Sequence, residues 1–144
     1  MVRSFARQAL PVAAGLFVVC CIIQVFLAGL GVFDDPKSFL THANFGYTFG
    51  WLTLVILVLA LVGREPRRIV GMSVLLLVLF AMQSVFVGIR ESNPQIAALH
   101  PLNGFFILGT SIVLTRASWA LRREPARVAE AGPAPTVAGA PGAG

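Results

Sequence analysis

Residues 36–46 read PKSFLTHANFG, and residues 94–104 read PQIAALHPLNG. Each segment carries a proline, a histidine six positions later, and a glycine four positions after the histidine. The offset is 58 residues for all three, and His42 and His100 are the only histidines of the chain. Both lie in strongly apolar surroundings, where an ionisable side chain is costly and usually has a function. The pair therefore indicates a site assembled from two equivalent segments.

The composition is that of a membrane protein. The 144 residues are 57% hydrophobic and 12% charged, and the mean hydropathy is +0.84. A helix of about 20 apolar residues spans the hydrocarbon core of a bilayer. We predict four such spans, at about residues 10–31, 36–62, 69–89 and 97–115. The remaining chain is too short for a separate soluble domain, so we predict an all-α fold, an integral membrane four-helix bundle over residues 1–120.

The two halves of the chain repeat each other. Gln24 and Gln83 correspond at an offset of 59, as do the Arg-Glu-Pro tripeptides at 64–66 and 123–125. Each half crosses the membrane, turns and crosses back, so the two halves run in the same direction. We therefore predict that the bundle is built from two parallel two-helix repeats.

The basic residues predict the orientation of the bundle. Lys37 and Arg90 flank the two loops of one side, whereas the other side carries nine arginines: Arg3, Arg7, Arg64, Arg67, Arg68, Arg116, Arg122, Arg123 and Arg127. Such an asymmetry is typical of cytoplasmic loops, so both termini are predicted to be cytoplasmic. The net charge of +5 is explained by this pattern, and no nucleic-acid partner is expected.

The last residues differ in character from the rest. Residues 124–144 are mostly Ala, Gly and Pro and have no periodic apolar face. Such a segment buries too little surface to offset its chain entropy. We predict a disordered cytoplasmic tail there.

Each predicted span contributes one polar side chain at a similar depth below the outer surface. These residues form what we call the histidine layer: Gln24, His42, Gln83 and His100. At 1.5 Å per helical residue, six residues would place each histidine about 9 Å inside its helix. The histidine layer is the candidate site.

Two imidazoles that face each other across a bundle match the axial ligands of a haem iron. Gly46 and Gly104 lie one helical turn inward of the histidines, where a missing side chain would admit a flat ring. The two glutamines, or a backbone carbonyl, would accept a hydrogen bond from the second nitrogen of each imidazole. We predict one haem b near the outer face, with His42 and His100 as ligands of its iron.

Filled axial positions leave no open site for catalysis, so this interpretation favours electron transfer or haem handling over an enzyme. The partners would be the lipid bilayer and a quinone, an outer-face redox protein or a membrane subunit.

Three other interpretations stay open. The histidine layer is structural if the protein is a cofactor-free membrane subunit or scaffold, since glutamines and glycines often join membrane helices. A copper or zinc site is a second possibility, but no further ligand falls in the layer. A transporter is a third, although no charged residue lies midway through any span.

The segments HANFG at 42–46 and HPLNG at 100–104 carry a resemblance to a known family. A four-helix unit with such histidines near the outer ends of its second and fourth helices resembles one half of a haem A synthase. That family holds two bundles in tandem, one with the substrate haem and one with a haem b. The resemblance implies that His42 and His100 are axial ligands. The chain also looks like small four-helix bacterial membrane proteins, which implies a bacterial-type plasma membrane.

The chain departs from the haem A synthase pattern in its substrate-side features. Phe39 stands where that pocket has a carboxylate, and Cys20 and Cys21 lie within the first helix instead of an outer loop. The resemblance therefore implies a half that holds haem b, and haem hydroxylation is not expected.

Overall fold

The structure, a computed structural model, describes the backbone of residues 1–131 and the side chains of residues 1–123, and this part is helical apart from short turns. The helices are α1 (Val2–Phe33), α2 (Ser38–Val62), α3 (Arg67–Gly88), α4 (Pro94–Ala97) and α5 (Leu99–Ala131). Helices α1, α2 and α3, and the segment Pro94–Arg123, are each long and apolar enough to cross a membrane. The predicted all-α membrane four-helix bundle is confirmed.

Two helices run beyond the predicted apolar spans. Helix α1 begins at Val2, because the segment before residue 10 contains residues such as Ala and Arg that favour helix. Helix α5 continues to Ala131, into the region predicted as a tail. Residues 132–144 of that predicted tail lie outside the described residues. The arginine-containing helix ends therefore extend past the apolar core of the bundle.

The four long helices form a closed ring of neighbours. Helix α1 packs against α2 and α5, and α3 packs against the same two helices. Within the described residues, α2 and α5 make no close backbone approach to each other, and neither do α1 and α3. The two helices that carry the histidines thus lie diagonally opposite across the bundle.

The core repeats between the two halves. The buried residues Leu10, Ala14 and Phe17 of α1 correspond, at an offset of 59, to the buried Ile69, Ser73 and Leu76 of α3. The buried residues Phe49, Thr53, Ile56 and Ala60 of α2 correspond, at 58, to the buried Ile107, Ser111, Leu114 and Ser118 of α5. The same helix faces therefore point inward in both halves.

An aromatic cluster fills the bundle centre beneath the histidine layer. The rings of Phe17 and Phe49 have centroids 5.2 Å apart, and Phe80 lies 5.9 Å from the first and 5.4 Å from the second. Phe45 packs on Phe49 at 5.2 Å. Tilted and edge-on contacts at these distances are favourable for aromatic rings. This cluster closes the bundle on one side of the histidines.

The outer surface of the bundle is apolar. Large side chains such as Phe26, Trp51, Phe105 and Phe106 are more than half exposed. A soluble monomer rarely presents apolar patches of this extent, whereas lipid chains cover them at no cost. The bundle therefore suits a bilayer.

Candidate functional site

His42 lies in the second turn of α2. The helix begins at Ser38, two residues after the predicted start of the span at about residue 36. The reason is a turn that precedes the helix: Asp35 Oδ1 accepts a hydrogen bond from the Lys37 amide at 2.9 Å, and the Asp35 carbonyl accepts one from the Ser38 amide at 2.8 Å. His42 is consequently the fifth residue of α2.

His100 is positioned by a break in the helix. The first piece, α4, begins at Pro94 and ends at Ala97, and His100 is the second residue of α5. Pro101 explains the break, because its ring has no N–H and would collide with the carbonyl of Ala97, four residues earlier. The predicted position of His100, six residues inside a continuous helix, is therefore wrong.

The two imidazoles meet across the diagonal of the bundle. The ring centroids of His42 and His100 are 6.2 Å apart, and the ring planes are inclined at 61°. Both residues are half-buried. Phe39 stands edge-on to the His42 ring at 6.4 Å. The histidines thus form a pair, although their helices are not neighbours.

His42 and Gln24 are joined by two hydrogen bonds. His42 Nδ1 donates to the Gln24 backbone carbonyl at 3.0 Å, and Gln24 Nε2 donates to the His42 backbone carbonyl at 2.9 Å. A carbonyl only accepts, so the proton of a neutral His42 ring is on Nδ1. The other nitrogen, Nε2, then keeps its lone pair, which is the form that binds a metal.

The equivalent contacts differ in the second half. The Gln83 carbonyl lies beside the His100 ring, but the buried Nδ1 of His100 makes no hydrogen bond of good geometry to it. Gln83 Oε1 instead accepts a hydrogen bond from Asn103 Nδ2 at 2.9 Å, and the same nitrogen lies 2.8 Å from the Leu79 carbonyl. Gln83 is therefore held by a side chain from α5.

Asn103 is a site residue that the sequence reasoning missed. It is buried and joins α3 to α5 within one turn of His100. The position that corresponds to it in the first half is Phe45, so the internal repeat carries no sign of this contact. The sequence does contain one indication: the Asn103 amide lies in an apolar segment, and a buried amide requires hydrogen-bond partners.

The two predicted glycines face the glutamines of the neighbouring helices. A Cβ added at Gly46 would lie 2.8 Å from Gln24 Nε2, and one added at Gly104 would lie 3.5 Å from Gln83 Nε2. The space predicted to admit a flat ring holds these amides. The glycines therefore allow each glutamine to approach the helix that carries the adjacent histidine.

The structure thus brings together Gln24, His42 and His100, and Gln83 lies beside His100 through its backbone carbonyl, so each long helix contributes one residue. Among the described residues, no group of three or more His, Cys, Asp or Glu side chains is arranged to hold a metal ion. The chemical capacity of the site therefore lies in two facing imidazoles and the amides beside them.

Residues 24–89 match a family of unknown function, DUF6220. The matched stretch begins at Gln24, contains His42, Gly46 and Gln83, and ends before His100. No curated protein matches the chain, and no solved structure does. The chain is therefore similar to this family from the later part of α1 to the end of α3, and the similarity assigns no activity.

Proposed function

We propose that this protein is a small membrane b-type cytochrome in which His42 and His100 hold one haem b. The spacing of the two imidazoles is the observation that carries the proposal. If both rings held one iron between them, their centroids would be roughly 6.4 Å apart, because each iron–nitrogen bond would be about 2 Å long and each ring centre lies about 1.2 Å beyond its nitrogen. The separation of 6.2 Å between these two rings is close to that distance.

The hydrogen bonds of His42 support the same proposal. A ligating histidine usually donates its second ring N–H to a carbonyl or carboxylate, which fixes its tautomer and orientation. Gln24 supplies that carbonyl to His42 Nδ1. The unpartnered Nδ1 of His100 has the Gln83 carbonyl beside it as the equivalent acceptor. These contacts support ligation by two imidazoles, and a haem between them would require the Gln24 and Gln83 amides to move from the space beside Gly46 and Gly104.

A haem iron with two imidazole ligands supplies one-electron chemistry and has no open position for a substrate. We therefore infer electron transfer or haem handling, and not catalysis, as the role. The partners that suit a site near one face are a quinone, an outer-face redox protein or a membrane subunit. The likeness to one half of a haem A synthase, in its haem b-holding part, belongs to this proposal.

The proposed orientation follows from the distribution of charge. We define the basic end of the bundle as the start of α1, the turn at residues 63–66 and the part of α5 at residues 116–123. Cytoplasmic loops are enriched in arginine, so we assign the basic end to the cytoplasm of a bacterial-type plasma membrane. Reporter fusions at the two termini, one active only inside the cell and one only outside, test this assignment.

The proposed haem is tested by spectroscopy on the full chain purified in mild detergent. The difference between the dithionite-reduced and oxidised spectra should contain the sharp α-band of a haem b. His42→Ala and His100→Ala should each abolish the band. Asn44→Ala, which changes an exposed residue of the same turn of α2, is the matched control and should retain it. A colourless wild type after haem supplementation would contradict the proposal.

A rescue experiment separates ligation from folding. His42→Gly opens the position of one proposed ligand, and free imidazole added to this variant should restore the α-band. A purely structural histidine would give no such recovery, because free imidazole cannot reconnect the helices. Size-exclusion elution of each variant shows whether the bundle is still folded.

A second candidate, a cofactor-free membrane subunit, is favoured by a different observation. The pairs Gln24–His42 and Gln83–Asn103 tie neighbouring helices by hydrogen bonds, as structural polar residues do in membranes. In this case His42→Ala would lower the unfolding temperature while haem supplementation would leave every variant colourless.

A further inference from the structure

A buried carboxylate organises the basic end of the bundle. The side chain of Glu65 is fully buried, and it forms ion pairs with Arg122 and, at 3.7 Å, with Arg7. The turn that places it is a Schellman motif, in which the Glu65 amide donates to the Ala60 carbonyl and Arg64 takes a left-handed conformation with φ of 50°. Glu65 thereby joins the α2–α3 turn to α1 and α5.

The arginines around Glu65 are also held by the backbone. Arg122 Nε donates to the Arg7 carbonyl at 2.8 Å, and Arg3 Nε donates to the Gly63 carbonyl at 3.3 Å. One carboxylate therefore pairs with two guanidinium groups, and the third, that of Arg3, is held by the Gly63 carbonyl, which leaves an excess of positive charge. Each guanidinium carries five N–H donors, and these contacts use only a few of them.

These arginines line an open pocket of about 530 Å³. Arg3, Arg7 and Arg122 contribute the charge, and Ser4 and Gln8 contribute neutral polar groups. Glu65 is not part of the lining, so its negative charge lies behind the arginines. Arg7 Nε makes no hydrogen bond, but it lies 3.7 Å from Glu65 Oε1, so Glu65 orients this guanidinium group from behind.

We propose that this arginine pocket binds a phosphate group, either that of an anionic lipid headgroup or a free phosphate ion. Planar guanidinium groups bind phosphate oxygens through paired hydrogen bonds, and the arginines here are already oriented by Glu65 and by carbonyls. The pocket lies at the ends of α1 and α5, beyond the apolar core, where lipid headgroups are found. Basic pockets between membrane helices are suited to such headgroups.

The test measures lipid binding to the full chain in a neutral detergent by native mass spectrometry. Phosphatidylglycerol, phosphatidylcholine and inorganic phosphate are the three probes. The double variant Arg3→Gln/Arg7→Gln removes two pocket charges, and Arg67→Gln/Arg68→Gln removes two exposed charges from the neighbouring start of α3. The two variants have the same net charge, so they differ only in whether the pocket is altered.

We expect phosphatidylglycerol to bind the wild type better than phosphatidylcholine. At about 1 kcal/mol for each basic residue that meets an anionic headgroup, the pocket variant should lose at least about tenfold in affinity, and the control less than about twofold. Saturable binding of inorganic phosphate, lost in the same variant, would identify a free anion as the ligand and still support the site. Equal losses in both variants, or no preference for the anionic lipid together with no saturable binding of inorganic phosphate, would overturn the proposal.

Arg3→Gln alone guards against a folding defect, because Arg3 is exposed and does not pair with Glu65. This variant should elute as the wild type does and should bind phosphatidylglycerol about fivefold more weakly. Unchanged binding by a folded Arg3→Gln protein would count against the pocket.

Discussion

The two halves of the bundle share one core pattern but hold their histidines differently. In the first half, α2 is continuous and His42 forms hydrogen bonds with Gln24 in both directions. In the second half, the helix is broken before His100, and Gln83 is held by Asn103. Packing positions are therefore repeated, whereas the polar contacts depend on single residues such as Asn103. Two halves with the same packing pattern can therefore hold imidazoles that have different hydrogen-bond partners.

The largest effect is expected at Gly50 of α2, and Gly109 of α5, a glycine at a position that does not correspond to it in the repeat, serves as the comparison. A Cβ at Gly50 would collide with the Phe80 ring, lying 2.9 Å from Cζ, whereas nothing lies within 4 Å of a Cβ at Gly109. Phe80 is held by the aromatic cluster, so Gly50→Ala should cost about 2 kcal/mol of stability. Gly109→Ala should be neutral or slightly stabilising, because alanine favours helix. Reversible unfolding in detergent compares the two, and equal costs would show that the Phe80 ring does not restrict the side chain at position 50.

A smaller effect is expected from the amide that only the second half contains. Asn103→Leu removes the donor to Gln83 and Leu79, and interhelical hydrogen bonds in membranes contribute about 0.6 kcal/mol each, so a loss of about 1 kcal/mol is expected. Asn44→Leu, an exposed substitution of the same type, is the control and should change little. Stability unaffected in both variants would mean that Asn103 does not tie α3 to α5.

The glycines next to the histidines should give a weaker contrast. Gly46→Ala would displace the Gln24 amide and break its hydrogen bond to His42, at a cost of about 0.6 kcal/mol. Gly104→Ala places its Cβ in ordinary contact with the Gln83 amide and should be tolerated. Unfolding curves of the two variants test this order. A larger loss of unfolding free energy for Gly104→Ala than for Gly46→Ala would contradict this prediction.

The smallest change in stability is expected from Pro101→Ala. This substitution supplies an amide that can bond to the Ala97 carbonyl, so α4 and α5 should join into one helix. The new amide proton at position 101 should be protected from hydrogen exchange. The unfolding free energy should shift by less than about 0.5 kcal/mol, because the added hydrogen bond offsets the greater freedom of the unfolded chain. Rapid exchange at this position would show that the break has another cause.

Much of the fold follows from patterns that a single sequence contains. Four apolar segments and the repeated Pro, His and Gly positions predict the helices, their parallel duplication and the assembly of the histidine layer. The helix break at Ala98 was predictable from Pro101, but the similarity of the two halves favoured a continuous helix. The geometry of Pro101 therefore determines the helix break, although the first half has a continuous helix at the corresponding position.

Other contacts could not be predicted from the sequence, because they join residues that are far apart in the chain. The Arg-Glu-Pro tripeptide at 64–66 has the composition of a short loop, yet Glu65 is buried against Arg122. Nothing near Glu65 in the sequence indicates this partner, which α5 brings back from the far end of the chain. The role of Gly46 was also unpredictable, since it depends on where the Gln24 side chain turns.

The diagonal placement of α2 and α5 has a consequence for how the molecule is made. Each helical hairpin carries one imidazole, so neither hairpin alone contains the pair. The ribosome synthesises the N-terminal hairpin first. This hairpin remains without its partner until the C-terminal hairpin has been inserted and packs against it. The pair of imidazoles can therefore form only after the complete chain has been synthesised. Co-expressed fragments separated between α2 and α3 should recover the pair only when they associate.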